Sequence, residues 1–483
     1  MDSFTYILSK LLIPQAGSTF VNYKPNLDTT KNPIPFILNG HQFFFEPNRP
    51  LELAMWTASL LPFRDHNRRL DPIMMIEQFK KTYSHILSNS DILFSQDSCS
   101  VLETIIQDPG SDYRLKLFIK QGPGSIRIMP IGNYLYKIDL SEMEKFPVRK
   151  GFIPYGGSLI FDNNFTPLSI TYDNNIYMPS DLLWPQAKYI FRSSLIVSNT
   201  IKIHAGYFHL FYGSNVPNAL HTLPSDHCLR RFMIPFTYKN ISTAELAKTV
   251  LYGKDKYFHR VTAFTIEGLN AYNKWSFDNF SYESFATYLS KFNDEDFLNR
   301  WAFASDGAKL FSIIHIYVKQ FLTPHYDPKD PHLITFLQTL KTSTQGKISI
   351  ENDFSLITEF LTHYIFINTS LHEIVGNNIL KNVFDPRVMS TKLRRISTIE
   401  SMYPDTQTYN QTMLIAIATS MARLPKLLDD FSYIYENSSD KEIIRQFQLN
   451  LQTLAADIDN ENKNRIEPYY GAHPKHLEIS MCV

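Results

Sequence analysis

Residues 195–227 read LIVSNTIKIHAGYFHLFYGSNVPNALHTLPSDH, an apolar and aromatic segment that carries the histidines His204 and His209. On an α-helix with about 3.6 residues per turn, side chains five residues apart point about 140° away from each other. A local i→i+5 turn, a π-bulge, would bring both onto one side, and such bulges occur mostly at functional sites. The spacing therefore indicates a two-imidazole metal site, and its alternative is a chance pair of core histidines.

Composition sets the class of protein. The chain has 483 residues, of which 44% are hydrophobic, 14% aromatic and only 19% charged, which predicts a large, aromatic-rich core. The net charge is zero, so no basic surface indicates nucleic acid or an anionic membrane as a partner. Cys99, Cys228 and Cys482 lie far apart and form no CxxC motif, which argues against a disulfide framework and a thiolate zinc site.

No apolar run is long enough for a transmembrane helix, which needs about 18 residues. The first residues, MDSFTYILSKLLIPQAG, make a poor secretory signal because Asp2 is acidic and the apolar run is short. We expect a soluble, cytoplasmic protein, and a monomer.

The pattern of the chain predicts a mainly α-helical protein. Residues 1–112 combine Pro- and Asn-rich loops with helices such as Asp71–Leu87. Residues 113–173 form a small β subdomain, because YRLKLFIKQ, SIRIMPIG, NYLYKIDL, GSLIFDNN and PLSITYDN alternate apolar and polar residues between turn residues. Residues 184–483 form one helical body. Its predicted helices are Thr243–Tyr252, Tyr282–Lys291, Ala308–Leu322, His332–Leu340, Asp353–Asn378, Thr408–Leu424 and Ser438–Ala456.

His372 lies near the end of a long apolar helix, in the sequence FLTHYIFINTSLHEIVGNN. HEIVG differs only at its last position from the zinc-protease pattern HExxH, in which two histidines share a helix face and the glutamate acts as the base. Position 376 is glycine, so the second ligand is missing and the pattern does not support a zinc protease.

The chain finishes on Ile479, Met481, Cys482 and Val483, an unusually apolar end. Burying it would also bury the α-carboxylate, which is ionised at neutral pH and costs several kcal/mol unless a cation lies beside it. A metal would serve, and the alternative is a hydrophobic tail on the surface or at a dimer contact. Imidazoles with a carboxylate and no thiolate suit non-haem iron or manganese.

At this point the sequence resembles the lipoxygenases. The matching features are WPQAK with Trp184 and Lys188, the run from His204 to Leu251, LPSDHCLRRFMIPF with His227 and Pro235, the helix Ala308–Leu322, and Ser480 three residues from the family's C-terminal position. Cys228 and Phe236 replace a proline and a histidine that are usual in the family. The resemblance covers roughly residues 115–378 plus the last few, and it implies a lipoxygenase-like helical catalytic domain without a separate N-terminal β-sandwich.

The resemblance implies the metal ligands His204, His209, His372 and the carboxylate of Val483. The family's further ligand stands four residues after the third histidine, where this chain has Gly376, so Asn377 or water would fill that position. Histidines five rather than four apart favour iron over manganese, although a final valine also occurs in the fungal manganese members.

The resemblance also implies the reaction. A ferric hydroxide would abstract hydrogen from a polyunsaturated fatty acid with a cis,cis-1,4-pentadiene, and O₂ would add to give a fatty acid hydroperoxide. Leu251 falls where the family clamps the reacting carbon, and Ala247 where alanine accompanies S oxygenation. The alternatives are a lipoxygenase-fold protein with hydroperoxide isomerase or non-lipid oxidase activity, and a non-catalytic lipid-binding protein.

Overall fold

The structure is a computed structural model. It describes residues 33–45, 110–238, 251–376, 390–395, 426–435, 437–466 and 468–481, with single positions at 240, 241, 244, 402, 405, 406, 408, 409 and 412. The expected helix Asp71–Leu87 and most of the expected helices Thr243–Tyr252 and Thr408–Leu424 lie outside the described residues.

Two antiparallel sheets are present in the described part of the chain. The first is the hairpin β1 (Ile34–Leu38) and β2 (His41–Phe45), joined by Asn39 and Gly40, both with positive φ. Asn-Gly suits this two-residue turn because both residues tolerate the left-handed conformation. The second sheet has five strands in chain order: β3 (Met129–Gly132), β4 (Leu135–Asp139), β5 (Ser158–Asp162), β6 (Pro167–Tyr172) and β7 (Asn175–Tyr177).

Helices make up the rest of the described structure. In chain order they are α1 (Asp112–Lys120), α2 (Trp184–Ser198), α3 (Gly213–Leu220), α4 (Cys228–Thr237), α5 (Tyr257–Val261), α6 (Ile266–Asp278), α7 (Phe285–Leu289), α8 (Glu295–Arg300), α9 (Ala302–His325), α10 (Pro331–Ser343), α11 (Phe354–Phe366), α12 (His372–Val375) and α13 (Ser438–Asn462). Two π-helical segments interrupt them, π1 (Asn199–Tyr212) and π2 (Ile367–Leu371). The mainly α-helical prediction is confirmed, and none of the described helices is long and apolar enough to cross a membrane.

The prediction of a strand at YRLKLFIKQ is wrong, because residues 112–120 form α1. Apolar residues alternate there, but Leu115, Phe118 and Ile119 also have helical spacing and are buried. Ser111 caps the helix by accepting a hydrogen bond from the Arg114 N–H, and Asp112 adds a negative charge in the first turn. The stretch SIRIMPIG is also only half strand, because residues 125–127 form a 3₁₀ turn.

Asp112 connects α1 to the start of the long helix α2. The indole Nε1 of Trp184 donates to Asp112 Oδ1 at 2.7 Å, and Lys188 Nζ donates to the same oxygen at 2.6 Å and to the Gly110 carbonyl at 2.6 Å. Lys188 is buried, so this carboxylate supplies the counter-charge that its ammonium needs. Trp184 and Lys188 of the WPQAK motif therefore fix the helix that leads to the histidine pair.

The core surrounds this helix. Helix α9 packs against α11 and α13, while π1 packs against α6 and α12. Phe211 of π1 stacks on Phe280 with ring centroids 4.4 Å apart, and His41 Nε2 of β2 donates a hydrogen bond to Asp278 Oδ1 of α6 at 2.9 Å. Aromatic packing thus holds one side of π1 against the core.

Candidate metal centre

The segment π1 is a full π-helix of 14 residues rather than a single bulge. Its i→i+5 hydrogen bonding is explicit at the end, where the Gly213 N–H donates to the Phe208 carbonyl. Two glycines allow the backbone of π1 to come close to carbonyl oxygens five residues earlier in the chain. A Cβ at Gly206 would lie 2.9 Å from the Ile201 oxygen, and one at Gly213 would lie 3.0 Å from the Phe208 oxygen. The predicted i→i+5 turn is confirmed, and it places His204 and His209 on one side of the helix.

The third histidine comes from the other interrupted helix. π2 follows α11 directly and leads without a break into α12, whose first residue is His372. The sequence predicted one continuous helix over Asp353–Asn378, so this interruption is a correction. Asn368 of π2 donates to the Tyr364 carbonyl and accepts from Asn240, and it fixes the segment from inside the core.

The three Nε2 atoms form a nearly equilateral triangle. His204 lies 3.0 Å from His372 and 3.0 Å from His209, and His372 lies 3.1 Å from His209. Among the described residues, these histidines are the only group of three or more His, Cys, Asp or Glu side chains placed to share an ion. We call them the histidine triad.

The triangle has the size of one face of an octahedral metal site. Three adjacent corners of an octahedron lie about 3.0 Å apart when the metal–nitrogen bonds are about 2.1 Å, whereas a tetrahedral site with the same bonds separates the nitrogens by about 3.4 Å. The observed spacing therefore fits an octahedral ion and leaves its opposite face to other ligands.

Hydrogen bonding alone cannot satisfy the triad. Each neutral imidazole offers Nε2 either as a donor or as an acceptor, never both. Among three mutually adjacent nitrogens, at least one pair must therefore be two donors or two acceptors, which cannot hydrogen-bond to each other. A cation that accepts all three lone pairs removes this conflict, so the residues present fit a metal ion.

Burial keeps the imidazoles of His204 and His209 neutral and ready to bind. It lowers the pKa of His204 to about 4. Burial also holds the pKa of His209 well below its ordinary value, and the neighbouring His204 and His372 lower it further, while the nearby Met481 backbone opposes the shift. Only 4% of His209 and 6% of His372 is exposed.

The buried end of the described chain reaches this centre. Leu477, Ile479, Ser480 and Met481 are all buried, and the backbone of Met481 comes close enough to His209 to raise its pKa. The expectation of a buried apolar C-terminal segment is thus confirmed as far as residue 481. Val483 itself lies outside the described residues, as do Asn377 and Ala247.

No protein-family model matches the sequence, and neither does any curated protein. Solved lipoxygenase structures match over nearly the whole chain. A lipoxygenase variant in complex with arachidonate has a TM-score of 0.75 at 12% identity and covers 100% of this chain and 82% of its own.

Two further structures agree. Coral 8R-lipoxygenase has a TM-score of 0.76 at 12% identity, covering 99% of this chain and 82% of its own. The manganese lipoxygenase of Gaeumannomyces graminis has a TM-score of 0.67 at 13% identity, covering 100% of this chain and 99% of its own. The chain has a lipoxygenase-like fold. Both iron and manganese proteins share that fold, so the fold alone does not identify the metal.

Within the lipoxygenase-like fold, the structure locates the remaining predicted positions. Leu251 is half-buried and packs against the core. His227 lies outside the triad, because its Nδ1 caps α4 and its Nε2 lies 2.8 Å from Asp330. Gly376 lies beside the triad, since a Cβ there would be 3.4 Å from His204 Nε2.

Sequence reasoning missed three contributors to the site. Asn240 and Asn368 support π2 through a hydrogen bond between residues 128 apart in the chain, and neither residue stands in a metal-ligand pattern. The Met481 backbone contact with His209 was also missed, although the apolar end of the chain signalled its burial.

Proposed function

We propose that this protein is a non-haem metal dioxygenase that inserts O₂ into a polyunsaturated fatty acid with a cis,cis-1,4-pentadiene, giving a fatty acid hydroperoxide. The observation that carries the proposal is the triad of Nε2 atoms 3.0–3.1 Å apart on a lipoxygenase-like fold. The complex of a similar fold with arachidonate supports a fatty acyl substrate. Leu251 and Ala247 are our candidates for substrate contacts.

Iron is the metal we propose, with manganese as the alternative. Three imidazoles with a carboxylate and no thiolate suit either ion, and the five-residue spacing of His204 and His209 favours iron by resemblance. Iron would supply the one-electron step that removes hydrogen from the bis-allylic carbon. The protein would hold the ion on one side and exclude water there by the burial of His209 and His372.

The proposed ligand set is His204, His209, His372 and the carboxylate of Val483, with Asn377 or water in the further position. The Met481 contact with His209 supports the carboxylate, because Val483 is only two residues further along the chain. Ser480 and Met481 are fully buried, so the chain enters the core as it approaches the triad.

Metal analysis and oxygen uptake test this proposal together. The purified protein should hold about one iron per chain and consume O₂ with linoleate while a conjugated-diene absorbance appears. His204→Ala, His209→Ala and His372→Ala should each lose the metal. His363→Ala is the matched control, because His363 lies one helix segment before His372, is similarly buried at 5% exposure and is outside the triad. Full metal retention in all three triad variants would refute the proposal.

The terminal carboxylate has a separate test. Deleting Val483, or extending the chain beyond it with a tag, should abolish oxygen uptake because the carboxylate is removed or displaced. A tag at the N-terminus is the control. A C-terminally tagged protein with full activity would remove Val483 from the ligand set.

Hydroperoxide isomerisation is the second candidate, and Gly376 favours it because this position supplies no side-chain ligand. Incubation with a fatty acid hydroperoxide without O₂ separates the two functions. A dioxygenase consumes linoleate only with O₂, whereas an isomerase consumes the hydroperoxide without it.

A further inference from the structure

Gly376 is the first residue after α12, and its backbone is fixed against the triad. Its N–H donates to the His372 carbonyl at 2.7 Å, which continues the helical hydrogen bonding by one residue. A Cβ built at this position would lie 3.4 Å from His204 Nε2 and 3.8 Å from His204 Cε1. A side chain at position 376 would therefore begin at the ligand nitrogen itself.

This direction identifies a position on the metal. The Nε2 atom of His204 aims at the ion that the triad would hold, so a donor one or two bonds beyond Cβ at 376 would reach the same ion. Glycine has no such donor. The size of the triad leaves room for further ligands on its opposite side, where the proposed carboxylate of Val483 would take one position and the position beside residue 376 is another.

We propose that Gly376 leaves one coordination position of the metal open to a small anionic oxygen donor that binds the ion directly, the class that includes carboxylates and hydroperoxide anions. The inference rests on the proposed function, since it requires a metal at the triad, with water rather than Asn377 in the position that a side chain at 376 would reach. Charge favours such ligands, because three neutral imidazoles and one carboxylate leave a ferric ion with an excess of two positive charges. Burial strengthens that attraction.

Azide is the probe, because it is a small anion that binds ferric ions and changes their absorption and electron paramagnetic resonance spectra. The ferric holoprotein is titrated with azide, and neither readout depends on turnover. Wild-type protein should bind azide. Gly376→Asn should weaken azide binding about tenfold or more, because a tethered amide competes at a high effective concentration.

Two further variants distinguish a blocked coordination position from a general disturbance of the fold. Gly376→Ala adds the Cβ without a donor and should give an intermediate azide affinity. Any side chain at 376 also crowds the backbone, since the Cβ would lie 2.9 Å from the His372 oxygen. Gly124→Ala is the matched control, because its Cβ would crowd the Phe118 oxygen at 3.0 Å and none of the three atoms nearest to that Cβ belongs to the triad. It should bind azide like the wild type.

The outcomes distinguish this inference from the proposed function. Wild-type protein that binds no metal would overturn both. A metal-loaded wild-type protein that binds no azide, or equal azide affinity in metal-loaded wild-type and Gly376→Asn protein, would overturn the inference alone. Azide binding lost in Gly376→Asn while its metal content and circular dichroism match the wild type would establish the open position.

Discussion

The Nε2 atoms of His204 and His209 lie 3.0 Å apart, although five residues separate them along the chain. A regular α-helix would point these side chains about 140° apart. The π-helix Asn199–Tyr212 brings them together, and the segment Ile367–Leu371 delivers His372 to the same point. Both interruptions of helical geometry thus serve one cluster of nitrogens.

Replacing His204 with leucine should separate the effect of the triad on the stability of the metal-free protein from the stability that metal binding adds. Without metal, the free energy of unfolding of His204→Leu should lie within about 1 kcal/mol of the wild-type value. Leucine has a similar volume, and it removes a nitrogen whose hydrogen bonding the triad cannot fully satisfy. With metal, the wild type should gain about 2.7 kcal/mol at a hundredfold excess over Kd, and the variant should gain nothing. Urea denaturation with and without chelator measures both differences. A loss of several kcal/mol in the metal-free variant would show that the nitrogens are satisfied without an ion.

Glu478 should make the protein less stable as the pH rises. Its side chain is 15% exposed, and burial, with a contribution from Glu373, raises its pKa to about 7, while Lys426 at 3.6 Å opposes the shift. A carboxyl whose folded pKa lies above its unfolded pKa binds its proton more tightly when folded. The cost of ionising it therefore grows from about pH 4.5 to pH 7 and is complete above that range.

Glu478→Gln removes this cost. The variant should be more stable than the wild type by on the order of 2–3 kcal/mol at pH 8 and nearly equal to it at pH 4.5. Glu442→Gln is the control, because Glu442 is exposed and the Arg445 hydrogen bond lowers its pKa, which gives the opposite sign. Chemical denaturation at both pH values measures the difference. A gain that is independent of pH would show that Glu478 is not the titrating group.

Asp306 and Arg465 join α9 to the end of α13 through a buried ion pair. The Asp306 side chain is fully buried, and both of its oxygens accept hydrogen bonds from the guanidinium at 2.8 Å. Burial nevertheless raises the pKa of Asp306, because desolvation outweighs the attraction of Arg465. Asp306→Ala should therefore cost about 3 kcal/mol, because it leaves a half-buried guanidinium without this partner.

A double-mutant cycle checks that explanation. Asp306→Leu combined with Arg465→Met should cost clearly less than the sum of the two single substitutions, because the pair of charges disappears together. Denaturant midpoints of the four proteins give the coupling. Additive costs would mean that the two side chains act independently.

The sequence was sufficient to predict the histidine pair and its π-turn, because the five-residue spacing has few structural explanations. It was not sufficient at Tyr113–Gln121, where alternating and helical apolar spacing coincide and Ser111 decides for the helix by capping it. The Asn39-Gly40 pair is a typical two-residue hairpin turn, so the sequence also contained the information for the β1–β2 hairpin, which the expectation of loops in residues 1–112 did not include.

The rest of the centre depends on contacts that no local pattern encodes. Nothing in FINTSL distinguishes π2 from ordinary helix, and its support from Asn240 depends on a hydrogen bond between residues 128 apart in the chain. The position of Gly376 beside His204 likewise follows from the approach of two helices that lie far apart in sequence. The histidine pair, His372 and the apolar end of the chain each indicated the centre separately, and the resemblance then supplied the ligand set.

The separation of His204 from His372 also bears on when the protein can acquire an ion. A metal held by both would close a loop of 168 residues, acting as a reversible cross-link that lowers the entropy of the unfolded chain as a disulfide does. During synthesis His204 and His209 emerge long before their third partner, and Met481 follows later still. Loading therefore belongs to the last stage of folding, when distant parts of the polypeptide have already met.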